Sequence, residues 1–128
     1  MSYSNYCENW LLDYLFTTKT VYVGYGSAAI EASITELAGG GYAREAFGAW
    51  SLTSVGADDQ FVDNDADIVF DQATGTQGTC AVFGFFDALT GGNFLGSVTL
   101  AELGLSNINV ITGTQITIAA GKCKCKLD

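Results

Sequence analysis

The sequence predicts a mainly β protein, an antiparallel β-sandwich or barrel with one N-terminal α-helix. Three observations point there. Helical spacing of large apolar residues is sustained over residues 4–16, near the N-terminal end of the sequence. From residue 20 onward, short runs of β-branched and aromatic residues recur. The chain has 16 glycines and no proline, and glycine-containing turns bound most of those runs. Many short strands separated by turn signals suit two packed sheets or a barrel.

Taken in order, residues 4–16 place Tyr6, Trp10, Leu11, Tyr14 and Leu15 at three- and four-residue spacings, which predicts a helix with that face toward the core. Ser4 or Asn5 supplies its N-cap, and Glu8 suits the helix dipole while Asp13 opposes it. TVYVGYG at 20–26 reads as a strand. AAIEASITEL at 28–37 fits either a short helix, through Ile30, Ile34 and Leu37, or an irregular strand, and a glycine triplet at 39–41 follows it. YAREAFGAWSLTSV at 42–55 becomes extended toward its end. The polar run GADDQFVDNDAD at 56–67 has the composition of a surface loop.

The second half is a succession of strands: DIVF, TCAVFGFF, NFLGSVTL, INVI and TQITIA, then KCKCKLD at the end. An Asp and a Thr-Gly-Gly-Asn turn between VFGFF and FLGSV predict a hairpin, and Gly113 predicts a second between INVIT and TQITIAA. Gly24, Gly26 and the triplet read as turn residues, since no phosphate-loop pattern follows them. In the last strand Lys122, Lys124 and Lys126 alternate with Cys123, Cys125 and Leu127. Period-two geometry sends three of the five positive charges to a wet face and the thiols inward. Lysines there also discourage stray edge pairing. Neither a repeat nor a linker is visible, so the expectation is one domain over 1–128, with the helix in 1–18 and a β-rich body over 19–128.

Composition limits the function. The chain has 128 residues, 48% hydrophobic and only 15% charged, with no histidine. A domain of this length buries roughly two-thirds of the surface its unfolded chain exposes, and so apolar a chain is expected to cover part of the remainder with other subunits. Lack of histidine removes the commonest general base and zinc ligand, which argues against an enzyme. A net charge of −9 argues against nucleic acid as a partner. No apolar run of membrane-spanning length and no secretory signal stand in the sequence, so no membrane partner is expected. The four cysteines, Cys7, Cys80, Cys123 and Cys125, are expected as reduced thiols, mostly buried. Six of the fourteen acids fall between residues 58 and 71. Asp63, Asn64, Asp65 and Asp67 begin like a calcium loop, but Ile68 and Thr74 occupy the positions where glycine and an acid are required. A solvated acidic loop is expected, with no metal and no cofactor. Trp10, Trp50 and the six tyrosines offer a stacking platform for a glycan.

Several landmarks recur in order: NWLLDYLF at 9–16, VYVGY at 21–25, GGGYARE at 39–45, DIVFDQATGTQGT at 67–79, VFGFFDALTGGNFLGSVTL at 82–100 and TQITIAAGKCKCKLD at 114–128. In these the chain resembles a family of short tailed-phage virion proteins of tail-fibre-like type, departing from it between Tyr25 and Gly39 and in the lysine-flanked terminal cysteines. The resemblance implies a structural, β-rich virion component with no catalytic residue, assembled in the host cytoplasm. An acidic, apolar-rich β domain suits repetition on a particle. The leading expectation is a capsid decoration or cement protein that bridges coat subunits and self-associates as a homo-oligomer, for example a trimer. The alternatives are a tail fibre, collar or adaptor protein and, from another class, a carbohydrate-binding module. Trp10, Leu11, Tyr14, Leu15 and Phe16 are expected at core and subunit contacts, and Lys122, Lys124 and Lys126 at a docking strand.

Overall fold

The structure, a computed structural model, describes residues 4–30, 32–54 and 60–126. Helix α1, Asn5–Asp13, starts where the Ser4 hydroxyl accepts a hydrogen bond from the Cys7 N–H at 3.2 Å. It widens into a π-helical turn over Tyr14–Thr18. There the Thr17 and Thr18 hydroxyls donate to the carbonyls of Asp13 and Tyr14, satisfying groups that the end of a helix leaves open.

The core-facing stripe of this segment differs from the expected one. Tyr6, Trp10 and Tyr14 are 81%, 56% and 44% exposed, whereas Leu12 and Phe16 are buried and Leu11 and Leu15 half-buried. The segment is apolar on so many sides that it carries two i, i+4 stripes, and spacing alone does not choose between them. Aromatic packing does: the Phe16 ring meets Trp50 edge-on at 4.8 Å and Phe85 at 5.8 Å.

Eleven strands follow among the described residues: β1 (Val21–Ile30), β2 (Ser33–Glu36), β3 (Glu45–Phe47), β4 (Trp50–Ser54), β5 (Gln60–Asn64), β6 (Ile68–Val69), β7 (Gly78–Cys80), β8 (Val82–Phe86), β9 (Phe94–Thr99), β10 (Ile108–Val110) and β11 (Thr117–Ile118). Every ladder is antiparallel. The main sheet runs β2-β1-β8-β9, with β3 also on β1; β4 pairs β5, β7 pairs β10 and β6 pairs β11. The fold is thus mainly β and antiparallel, with one short N-terminal helix and no closed barrel among the described residues.

Strand β8 shows how the sheet is covered. All five of its residues are buried. Phe83 and Phe85 point into the main core, which draws on residues from Leu12 to Cys123. Val82 and Phe86 alternate to the other face and join Ile34 in a small second cluster. Gly84 lies between them because a Cβ there would stand 2.7 Å from Ile34 Cδ1.

Four expectations are corrected or resolved. The ambiguous run at 28–37 is strand over 28–30 and 33–36, with residue 31 outside the described set: β1 continues to Ile30 and pairs back on β2, with a register shift between Gly26 and Ala28. Gly24 and Gly26 are therefore interior strand residues, not turn residues, and a side chain at Gly26 would collide with the Thr35 backbone. The expected acidic loop contains β5, with Val62 and Asn64 fully buried; residues 55–59 lie outside the described set. The strands flanking Gly113 do not form a hairpin with each other, because β10 adds to β7 and β11 to β6. Local turn chemistry was right, since Thr114 N–H donates to Ile111 O at 3.0 Å, but buried apolar partners elsewhere decided the pairing. The hairpin β8–β9 forms as expected. Its Asp87 carboxylate accepts from the Asn93 backbone N–H at 2.6 Å and side-chain amide at 2.8 Å.

Candidate functional site: a lysine-rimmed groove beside a sheet edge

The expected docking residues come together only in part. The end of α1 and the π-helical turn contribute Leu12, Leu15 and Phe16 to the wall of an open groove of about 890 Å³. Strand β9 supplies residues 95–98, and the C-terminal segment supplies Lys122, Lys124 and Lys126. The helix and the lysine segment, over a hundred positions apart in the chain, therefore meet across one surface feature. Leu11 is half-buried outside the groove lining, and Trp10 and Tyr14 lie on the exposed helix face. Their rings stack at 5.4 Å with planes 8° apart, and Lys19 Nζ stands 5.6 Å from the Tyr14 ring.

The C-terminal alternation is borne out over the described residues. Lys122, Lys124 and Lys126 are exposed, Cys123 is buried and Cys125 is half-buried; Leu127 lies outside the described set. The segment is not a full strand, however. It meets β5 at a single antiparallel bridge, with Val62 N–H to Cys125 O at 3.0 Å and Cys125 N–H to Val62 O at 2.8 Å. Lys124 Nζ sits 5.0 Å from the Phe61 ring centre, so its stem lies along apolar surface while its charge stays in water.

Two polar constellations that sequence reasoning missed hold this region in place. Asn64, within the supposed acidic loop, is 1% exposed. Its side-chain nitrogen donates to the carbonyls of Ala66 at 2.9 Å, Ile118 at 3.2 Å and Ala119 at 3.0 Å, and its oxygen accepts from the Cys123 N–H at 2.9 Å. One side chain thereby aims the terminal segment. Among the neighbouring acids, Asp65 accepts from the Ser51 hydroxyl at 2.7 Å, with Asp63 at 3.5 Å from the same hydroxyl, and Asp67 accepts from the Ala120 N–H at 2.9 Å.

The second constellation seals a gap along β1. Between the stretches paired to β3 and β2, the Tyr25 N–H has no strand opposite it and donates to the Tyr42 hydroxyl at 3.2 Å. That hydroxyl donates in turn to Glu36 Oε2 at 2.5 Å. Arg44 grips Glu36 through two bonds, at 2.7 and 3.1 Å, and lies 3.5 Å from the centre of the Phe86 ring. Burial pushes the Glu36 carboxyl upward, but hydrogen bonds from Arg44 and Tyr42 and the Arg44 charge outweigh it and hold the group below its ordinary range. The motif GGGYARE contains Tyr42 and Arg44, yet nothing in its spacing announced that they meet Glu36, which lies outside it.

Sulfur and aromatic groups are placed for packing. All four cysteines are free thiols. Burial pushes the Cys80 thiol up to about 12, and a hydrogen bond with Cys123, followed by burial, raises Cys125 well above its ordinary value. Such thiols are poor nucleophiles. Trp50, offered above as part of a glycan platform, is only 5% exposed and belongs to the core.

Among the described residues no helix is long and apolar enough to cross a membrane. No curated protein matches the chain. The family model described as Podophage GP4 fiber I protein gp80 matches residues 2–126. That match takes in nearly the whole sequence, and the chain belongs to this family, a structural component of the phage virion.

Proposed function

We propose that the protein is a tail-associated fibre component of a podophage particle, with a structural and not a catalytic role. The observation that carries this reading is the match to a fibre protein family over residues 2–126. It favours the tail-associated alternative over the capsid cement expected first. The exposed aromatic face of α1 and the lysine-rimmed groove support it, since both offer contact area for neighbouring subunits. Electron cryo-microscopy of intact particles, with gel densitometry for copy number, tests it. Density at the tail or collar and a few to a few tens of copies are expected; hundreds of copies on the head lattice would return the cement reading. Glycan binding keeps one supporting observation, the outward Trp10–Tyr14 stack. Saturable binding on a glycan array, abolished by Trp10→Ala, is the result that would establish it.

A further inference from the structure

We propose that the outer border of β9 takes up an extended, acidic segment of a neighbouring virion protein as an added strand, lying in the groove beneath the C-terminal lysines. Strand β9 ends the main sheet: it pairs with β8 on one side, and no described strand pairs with its other side. Backbone groups alternate sides along an antiparallel strand. Thr99 turns its N–H away from β8, toward Glu102 Oε1 at 3.1 Å. Ser97, two residues earlier, therefore points its N–H and carbonyl the same way, and Ser97 is exposed where it lines the groove. Glu102 thus caps the border at Thr99 and leaves the main-chain groups of Ser97 open beside apolar walls, the kind of edge that strand addition uses.

Charge selects the occupant. The chain carries −9 overall, yet three of its five basic side chains line this one groove. A concentrated acidic segment would be repelled from most of this molecule and drawn to this groove, where the lysines outnumber the one carboxylate of the lining, Glu102. The apolar part of the wall, Leu12, Leu15 and Phe16 with Leu95 and Leu103, would take the inward side chains of the added strand, and the lysines would meet carboxylates along its outer side. This inference rests on the virion reading above, but not on a tail position.

Zero-length carbodiimide cross-linking of purified particles, read by mass spectrometry, tests it directly. Cross-links from Lys122 or Lys124 to consecutive acids in one segment of a different virion protein are expected. Cross-links confined to the same chain or to a second copy, or none, would overturn it. The linked segment, made as a peptide, should bind the full-length chain and lose at least tenfold in affinity against Ser97→Pro, which removes the outward N–H at a sheet border where proline is tolerated. A comparable loss is expected against Lys122→Gln/Lys124→Gln. Methylating alternate amides of the peptide asks the same question without altering the protein. Unchanged affinity of the methylated peptides would overturn strand addition even if Ser97→Pro did not fold. Links to a shell protein would leave this inference standing and sink the tail assignment, whereas a tail position without such links would do the reverse.

Discussion

Asn64 is a fully buried polar side chain that ties the C-terminal segment to β5. Three carbonyls and one N–H from three separate stretches of chain depend on it. Removing such a hub leaves buried groups without partners, each costing about 1–3 kcal/mol. Asn64→Ala is therefore expected to lose about 3 kcal/mol and to lower Tm by roughly 10 °C in a thermal scan. Asn64→Asp should be worse, because it sets a carboxylate against three carbonyl oxygens. Glu36 gives a pH dependence with a definite sign. Its folded pKa lies below the ordinary value of 4.5, so its contribution is whole above that pH and is lost as the pH falls through the lower folded value. Denaturant titrations between pH 7 and pH 3 should show Glu36→Gln costing about 1–2 kcal/mol at pH 7 and flattening the acid limb.

At the scale of elements, α1 separates packing from display. Phe16→Ala should cost about 3–5 kcal/mol, since it empties a site against Trp50 and Phe85. Trp10→Ser should stay within about 0.5 kcal/mol of the parent in the same urea titration. The reverse ranking would mean that the helix docks through its aromatic face. The sequence displayed the helix, the β-rich body and the β8–β9 hairpin, because each follows from residues adjacent in the chain. It hid the phase of the helix, because Tyr6, Trp10 and Tyr14 share the spacing of Leu12 and Phe16. It hid β5 as well, since acids on either side of it in the sequence mask a strand whose one buried face is Val62 and Asn64. The partners of β10 and β11 were equally out of reach: turn chemistry at Gly113 is local, while their registers are set by residues some thirty to fifty positions earlier. Of the groove, the lysine alternation was legible and its opposite wall was not.

For the whole molecule, the main core links the N-terminal helix to Cys123 at the other end of the chain. Such a core should melt as one unit. Urea unfolding followed by tryptophan fluorescence and by alkylation of Cys80 and Cys123 should give coincident midpoints, and a helix that separated early would split them. The distribution of charge has meaning only at this scale. A strongly anionic body with three of its five cations at one groove has a preferred side from which an acidic neighbour approaches, and that preference should weaken as salt shortens the range of the field.

The hub at Asn64 also bears on durability. An exposed asparagine ages when the backbone nitrogen of the next residue attacks its carboxamide, releasing ammonia. Here that nitrogen, on Asp65, is held by the Ala49 carbonyl at 2.7 Å, and the carboxamide is fastened on both sides. A particle that must wait outside a cell for its next host is thereby spared slow chemical decay at the side chain that anchors the end of its chain.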